Sequence, residues 1–260
     1  MLHYEISGNG KKPLVLLHGF MEDHTIWSDM ESHFSKEFTL IKIDLPGHGK
    51  SENNNAVNSM DFMAEKVKEV IEKLNLNKIN ILGHSMGGYV SLAFAEKFPE
   101  SIESLTLFFS TTLADDEEKK QIRRRSIAVI DENFETFVNA SIPNLFSNNE
   151  KDILEGKIEL AKKIAKSTNK EGVKAAQLGM AERPDRTEIL EKLEAKILII
   201  AGKYDNAVKT ENLLKALPDK TNIKTYVLDC GHCGHWEKPT ICAEIINTEL
   251  LHNLPKKLVF

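Results

Sequence analysis

Ser85 lies in Gly83-His84-Ser85-Met86-Gly87-Gly88, after a short apolar run from Ile79 to Leu82 and before a helical pattern that starts at Tyr89. A G-x-S-x-G motif between a strand and a helix sets its serine on a tight turn. The turn forces the middle residue into a strained backbone conformation, and a side chain at Gly83 or Gly87 would collide with neighbouring backbone. Ser85 is thereby held at the tip of a sheet. The helix behind it points unpaired N–H groups and a positive dipole end at negative charge developing beside the serine. A reaction with a carbonyl would use that field.

A serine hydroxyl is a poor nucleophile near neutral pH unless a base takes its proton, and the base needs a third group to fix its tautomer. Two segments offer these partners. The apolar run Ile197 to Ala201 ends in Gly202-Lys203-Tyr204-Asp205, and Lys224 to Leu228 ends in Asp229-Cys230-Gly231-His232. In a parallel sheet such ends share the edge from which Ser85 emerges, so Ser85, Asp205 and His232 can converge. Asp229 is the rival acid, but it sits so close to His232 that it would have to fold back on its own loop. His235 is the rival base and is expected near the site mouth. His84 is expected to pack, Asp44 to stabilise its own motif and Asp115 to be a solvated charge. His18 and His48 belong to loop motifs, while His3, His24, His33 and His252 stand in none.

The elements that must position these groups are legible as alternation. Leu14 to Leu17, Leu40 to Ile43, Ile79 to Leu82, Leu105 to Phe109, Ile197 to Ala201 and Lys224 to Leu228 read as strands buried on both faces. Asp61 to Leu74, Tyr89 to Lys97 and Thr240 to Leu251 read as helices. Strands alternating with helices imply a mostly parallel sheet covered on both sides. From about Thr111 to Leu190 no strand-like run occurs. Glu117 to Asp131, Glu132 to Ala140, Glu150 to Lys166 and Glu171 to Ala181 are instead amphipathic and helical in period. The stretch is too long for a crossover and too apolar for a linker, so it reads as a helical insertion over the sheet. Arg123, Arg124 and Arg125 read as a solvated helix face.

Composition bounds the rest. A chain of 260 residues that is 41% hydrophobic supports one sizeable core with one insertion. With 34 basic and 39 acidic residues the formal net charge is −5, which excludes a general polyanion-binding surface and so nucleic acid. The start lacks the basic and apolar regions of a signal peptide and no run reaches membrane-spanning length, so a cytoplasmic protein without membrane contact is expected. The 3 cysteines all fall between Cys230 and Cys242, which excludes a disulfide framework. Cys230-Gly231-His232-Cys233 has the C-x-x-C spacing of a thiol oxidoreductase, but it follows the last strand instead of opening an early helix. Four ligands within six positions, Cys230, His232, Cys233 and His235, would crowd a tetrahedral metal. No metal site is expected.

Five pieces together resemble the α/β-hydrolase superfamily, from about Tyr4 to Leu254. They are His18-Gly19-Phe20, Asp44-Leu45-Pro46-Gly47-His48-Gly49-Lys50-Ser51, the Ser85 motif, Gly202-Lys203-Tyr204-Asp205, and Gly231-His232 followed by Glu237 and Pro239. The resemblance implies an α/β fold with a mostly parallel sheet of about seven strands, helices on both faces and an α-helical cap. Residues 1–110 and 191–260 would form the core and 111–190 the cap. It implies Ser85 as nucleophile, His232 as general base and then acid, and Asp205 as the residue that orients His232. The count to Glu237 and Pro239 fits His232 and not His235.

The backbone N–H groups of Phe20 and Met86 would form an oxyanion hole, often worth about 3 to 4 kcal/mol per donor. Phe20, Met86 and Cys233 would line the substrate pocket beside segments such as Phe134 to Phe146 and Met180. The implied activity is cleavage of a small carboxylic ester, lactone or thioester through an acyl-enzyme, without a cofactor. Alternatives on the same fold are C–C bond hydrolysis, lyase chemistry, cofactor-free haloperoxidation and non-catalytic ligand binding. Serine at position 85 departs from haloalkane dehalogenases and epoxide hydrolases, which carry Asp there. Tyr89 departs from the menaquinone-pathway synthase, which has Arg at that place. Val208 and the Cys230/Cys233 pair are further departures from the superfamily pattern. Substrate identity and oligomeric state are not set by the sequence.

Overall fold

The computed structural model describes residues 1–251. His252 and the remainder of the expected core segment, including the end of the resemblance at Leu254, lie outside the described residues. In chain order the strands are β1 Tyr4–Ser7, β2 Lys12–Leu17, β3 Phe38–Ile43, β4 Ile79–His84, β5 Ile102–Phe108, β6 Lys196–Gly202 and β7 Ile223–Leu228. The helices are α1 Ser28–Glu31, α2 Met60–Lys73, α3 Met86–Lys97, α4 Glu117–Ser141, α5 Glu155–Ser167, α6 Lys170–Ala181, α7 Thr187–Lys192, α8 Thr210–Ala216, α9 Gly234–Glu237 and α10 Pro239–Leu251.

One seven-stranded sheet runs β1-β3-β2-β4-β5-β6-β7, with β1 antiparallel to β3 and every other pair parallel. Period-two alternation divides its apolar residues between two cores. Leu14, Leu16, Leu82, Leu198 and Ile200 join Trp27, Met30 and Ile246 on one side. Val15, Leu17, Ile81, Ile197 and Ile199 join Met63, Val67, Val90 and Phe94 on the other. Helices therefore cover both faces, and the parallel strands deliver their C-terminal ends to one edge. The edge strand β7 departs from the expected two-sided burial, since Lys224, Thr225 and Val227 are exposed.

Between β5 and β6 the described chain contains α4 to α7, a 3-10 turn at Ile142–Leu145 and no strand. The two helices expected over 117–140 form one 25-residue element broken at Asn133, whose φ of −154° and ψ of 90° are not helical. The Asn133 side chain accepts a hydrogen bond from Thr136 N at 2.9 Å, so it restarts the second half as an internal N-cap. Helix α6 lies backbone-to-backbone on the loop before α2. A Cβ on Gly172 would stand 2.3 Å from Gly47 O, and one on Gly179 only 1.8 Å from Asn58 O. Asn58 N also donates to Ala175 O at 3.0 Å. The short helices α7 and α8, each about two turns or less, fall below the length at which periodicity is readable.

Candidate active site

Ser85 follows β4 directly and has φ 50° and ψ −113°, a conformation that costs a non-glycine residue roughly 1–3 kcal/mol. Surrounding bonds hold it there. Its N–H donates to Phe108 O at 3.0 Å, and its own carbonyl accepts from the Ser110 hydroxyl at 2.7 Å and from Gly88 N at 2.9 Å. The flanking glycines are required by space. A Cβ on Gly83 would sit 2.1 Å from Gly87 O, and one on Gly87 2.3 Å from Leu17 O. Met86 opens α3, so its N–H has no intrahelical acceptor. Neither that N–H nor the one of Phe20 is hydrogen-bonded among the described residues.

His232 and Asp205 meet as their positions past β7 and β6 require. His232 Nδ1 donates to Asp205 Oδ2 at 2.7 Å, and both side chains are almost wholly buried. Asp205 Oδ1 is fixed in turn by Ala207 N and Val208 N, each at 2.8 Å. With Nδ1 committed to the carboxylate, the Nε2 of a neutral His232 is the free acceptor. The His232 backbone N–H donates to Leu145 O at 2.7 Å, which ties this loop to the helical segment. Asp229 does not approach the site; it is exposed and pairs with Lys203 at 3.1 Å.

The sequence reading of His84 as a packing residue needs correction. Its Nδ1 faces Glu22 Oε2 at 2.8 Å and its Nε2 faces the backbone oxygen of His232 at 3.0 Å. Both neighbours are acceptors, so the two contacts are satisfied together when both ring nitrogens carry hydrogen, which favours the imidazolium form. Burial alone would lower the His84 pKa, but the Glu22 carboxylate leaves it raised. Burial likewise opposes the Glu22 charge, yet the charge and hydrogen bond of His84 bring its pKa from 4.5 to about 2. Glu22 also accepts from Gly19 N at 2.6 Å. This pair thus joins three loops, those of residues 19–22, of the serine turn and of His232. Glu22 belongs to no motif read above, and only its three-residue spacing from Gly19 could have hinted at it.

His235 is fully buried instead of standing at the mouth. Neither ring nitrogen is hydrogen-bonded; Glu22 Oε1 is 3.9 Å away, and the rings of His84 and Trp236 lie against it. Burial, then the nearby His84, pushes its pKa well down. Cys230, Cys233 and Cys242 are buried free thiols whose pKa values burial pushes far up, which is the reverse of a reactive pair.

Ser85, His84 and His232 line a cavity of about 260 Å³ together with Phe20, Met21 and Glu22. Tyr89 of α3 also lines it, and the remaining wall comes from the helical segment and the loop after β6, including Lys119, Arg123, Phe137, Gln177, Met180 and Val208. Of the three expected pocket residues, Phe20 is in the wall. Met86 and Cys233 are not: the Met86 side chain turns into the core beside α2, and Cys233 is packed with Trp236 in the opposite core. Arg123 and Asp115 are not solvated either. Asp115 has a side chain 1% exposed and pairs with both Arg123 and Arg183. Burial opposes its charge, but the hydrogen bond from Arg183 and the charge of Arg123 lower its pKa to about 2.

Among the described residues one group has metal-ligating reach, His3, His24 and Asp44, and none of it lines the cavity. Asp44 accepts there from His3 and His24 side chains and from the backbone of His24 and Lys50, so the group clasps the strand ends. His48, also buried, is held neutral with a pKa near 3, chiefly by burial.

The chain belongs to the α/β-hydrolase fold family, whose model matches residues 12–239, and it is an enzyme of that class acting on small molecules. A thermophilic esterase from Thermogutta terrifontis, solved with malate bound, is 32% identical, with 96% of this chain and 93% of that chain covered and a TM-score of 0.89. An enol-lactonase from Burkholderia xenovorans LB400 shares the fold at 21% identity, with 96% of both chains covered and a TM-score of 0.87. A 2-hydroxy-6-oxononadienedioate/2-hydroxy-6-oxononatrienedioate hydrolase of Escherichia coli is 27% identical over 249 residues, 91% of this chain and 86% of its own. No helix among the described residues is long and apolar enough to cross a membrane.

Proposed function

We propose that this enzyme cleaves a small carboxylic ester, lactone or thioester through an acyl-enzyme on Ser85, with His232 as base and acid and Asp205 as its orienting carboxylate. The observation that carries the reading is the 2.7 Å His232–Asp205 bond, with His232 and Ser85 lining the same cavity. His232 Nε2 takes the Ser85 proton as Oγ attacks the carbonyl carbon. The resulting oxyanion lies between the N–H groups of Phe20 and Met86. His232 then returns the proton to the leaving alkoxide or thiolate, and the acyl-serine remains. A water molecule, deprotonated by His232, attacks that ester and releases the acid and Ser85. The helices of residues 111–190 act as a cap whose side chains select the substrate.

Burst kinetics with 4-nitrophenyl acetate and butyrate, with intact-mass detection of the adduct, test this. The wild type should show a burst and an acyl mass increment, and Ser85→Ala neither. Equal rates without an adduct would overturn it. The 27% identity to the dienedioate hydrolase favours a second reading, hydrolysis of a C–C bond beside a carbonyl, with the same groups.

A further inference from the structure

The polar part of the cavity wall has one sign. Its single carboxylate, Glu22, is occupied by His84 and Gly19 N, whereas Lys119 and Arg123 enter from the first half of α4. Behind them Asp115 is the one carboxylate shared by Arg123, Arg183 and, at 3.8 Å, Lys119, so three cations face one anion. Of these groups Lys119 and Arg123 line the cavity and Asp115 does not, so the wall itself presents positive charge.

The donors left over are specific. Arg123 spends Nε on Asp115 and one Nη1 hydrogen on Gln177 Oε1 at 3.1 Å. Its other Nη hydrogens have no acceptor among the described residues. Gln177, with Oε1 fixed by that bond, presents its amide Nε2 as a donor, and it too lines the cavity. Guanidinium and amide together form a donor-only patch, which suits a carboxylate and nothing cationic.

We infer that the substrate bears a free carboxylate away from its reacting carbonyl, as in a half-ester of a dicarboxylic acid, and that Arg123 with Gln177 receives it. This rests on the hydrolytic reading above and adds the substrate class. A cavity of about 260 Å³ admits a molecule on the order of ten heavy atoms, the size of such a half-ester.

The test compares the monomethyl esters of succinic, glutaric and adipic acid with methyl butyrate, valerate and hexanoate by pH-stat. The best half-ester should exceed its neutral counterpart in kcat/KM by about tenfold or more, and raised salt should reduce that ratio. In Arg123→Met and in Gln177→Met the ratio should fall toward one, with Arg123→Lys intermediate. A wild-type ratio of one or less, or a ratio unchanged in both Met variants, overturns the inference. Calorimetric titration of Ser85→Ala with monomethyl glutarate and with methyl valerate separates it from the catalytic reading. Monomethyl glutarate binding that Arg123→Met abolishes upholds the carboxylate site even if no acyl-enzyme forms, and equal weakness for both esters removes it even if one does.

Discussion

The ring of His84 and the backbone oxygen of His232 are joined by a 3.0 Å hydrogen bond, so the residue before the proposed nucleophile holds the loop of the proposed base. Because Glu22 fixes the other nitrogen of His84, loosening either partner lets that loop shift relative to Ser85. His84→Phe and Glu22→Gln should each lower kcat about 10- to 100-fold with little change in KM. A fall in KM-type binding alone, seen in steady-state ester kinetics, would assign the pair to substrate contact instead.

Ser85→Ala and His232→Ala should each reduce kcat by about 10⁴ or more without lowering the melting temperature by more than a few degrees. His235→Ala should do the reverse. It empties a fully buried site between His84 and Trp236, so the loss is about 2–4 kcal/mol of stability, with kcat near wild type below the melting point. Parallel thermal melts and ester assays on the three variants decide this, and an equal catalytic loss in both histidine variants would reverse the assignment of the base.

Acid should destabilise the fold in a defined window. Glu22 has a native pKa of about 2 against an ordinary 4.5, so its contribution is complete above pH 4.5 and is lost as pH falls from there toward 2. Asp115, at about 2 against 3.8, adds to the same loss over the lower part of that range. His84 runs oppositely, being raised, and its contribution is lost as pH climbs through its native pKa. Urea unfolding at pH 6 and at pH 3 should show a clear drop for the wild type and a shallower one for Glu22→Gln.

Gly179→Ala should displace α6, because the new methyl carbon would meet Asn58 O at 1.8 Å. Gln177 and Met180, on the same helix, line the cavity, so KM should rise several-fold while the Ser85 adduct still forms. Gly156→Ala, with open space around it, should leave both unchanged and serves as the control.

Sequence reasoning reached what periodicity and motif spacing encode. Six strands, the serine turn and the His232–Asp205 meeting follow from apolar runs ending in Gly or Asp on one sheet edge. What it missed depends on side-chain partners distant in the chain. Glu22 and His84 are 62 positions apart, and Arg183 and Asp115 are 68. No local pattern distinguishes such an Asp115 from a solvated one, because its burial is decided by how α4 and α6 come together. Sequence adjacency to Ser85 predicts Met86 in the pocket wall, yet at a helix start the backbone and the side chain point to different regions.

The break at Asn133 has a bearing on how the enzyme could diversify. An unbroken helix of 25 residues would run about 37 Å in one direction. Bent at this asparagine, the same segment brings both its charged half, with Lys119 and Arg123, and its apolar half, with Phe137, to one small chamber. One side chain thus works as a corner bracket between the two kinds of wall. Exchanging it for a strong helix former would alter the chamber's outline in a single step while leaving every reacting group where it is, which makes position 133 a natural site for evolving new substrate ranges.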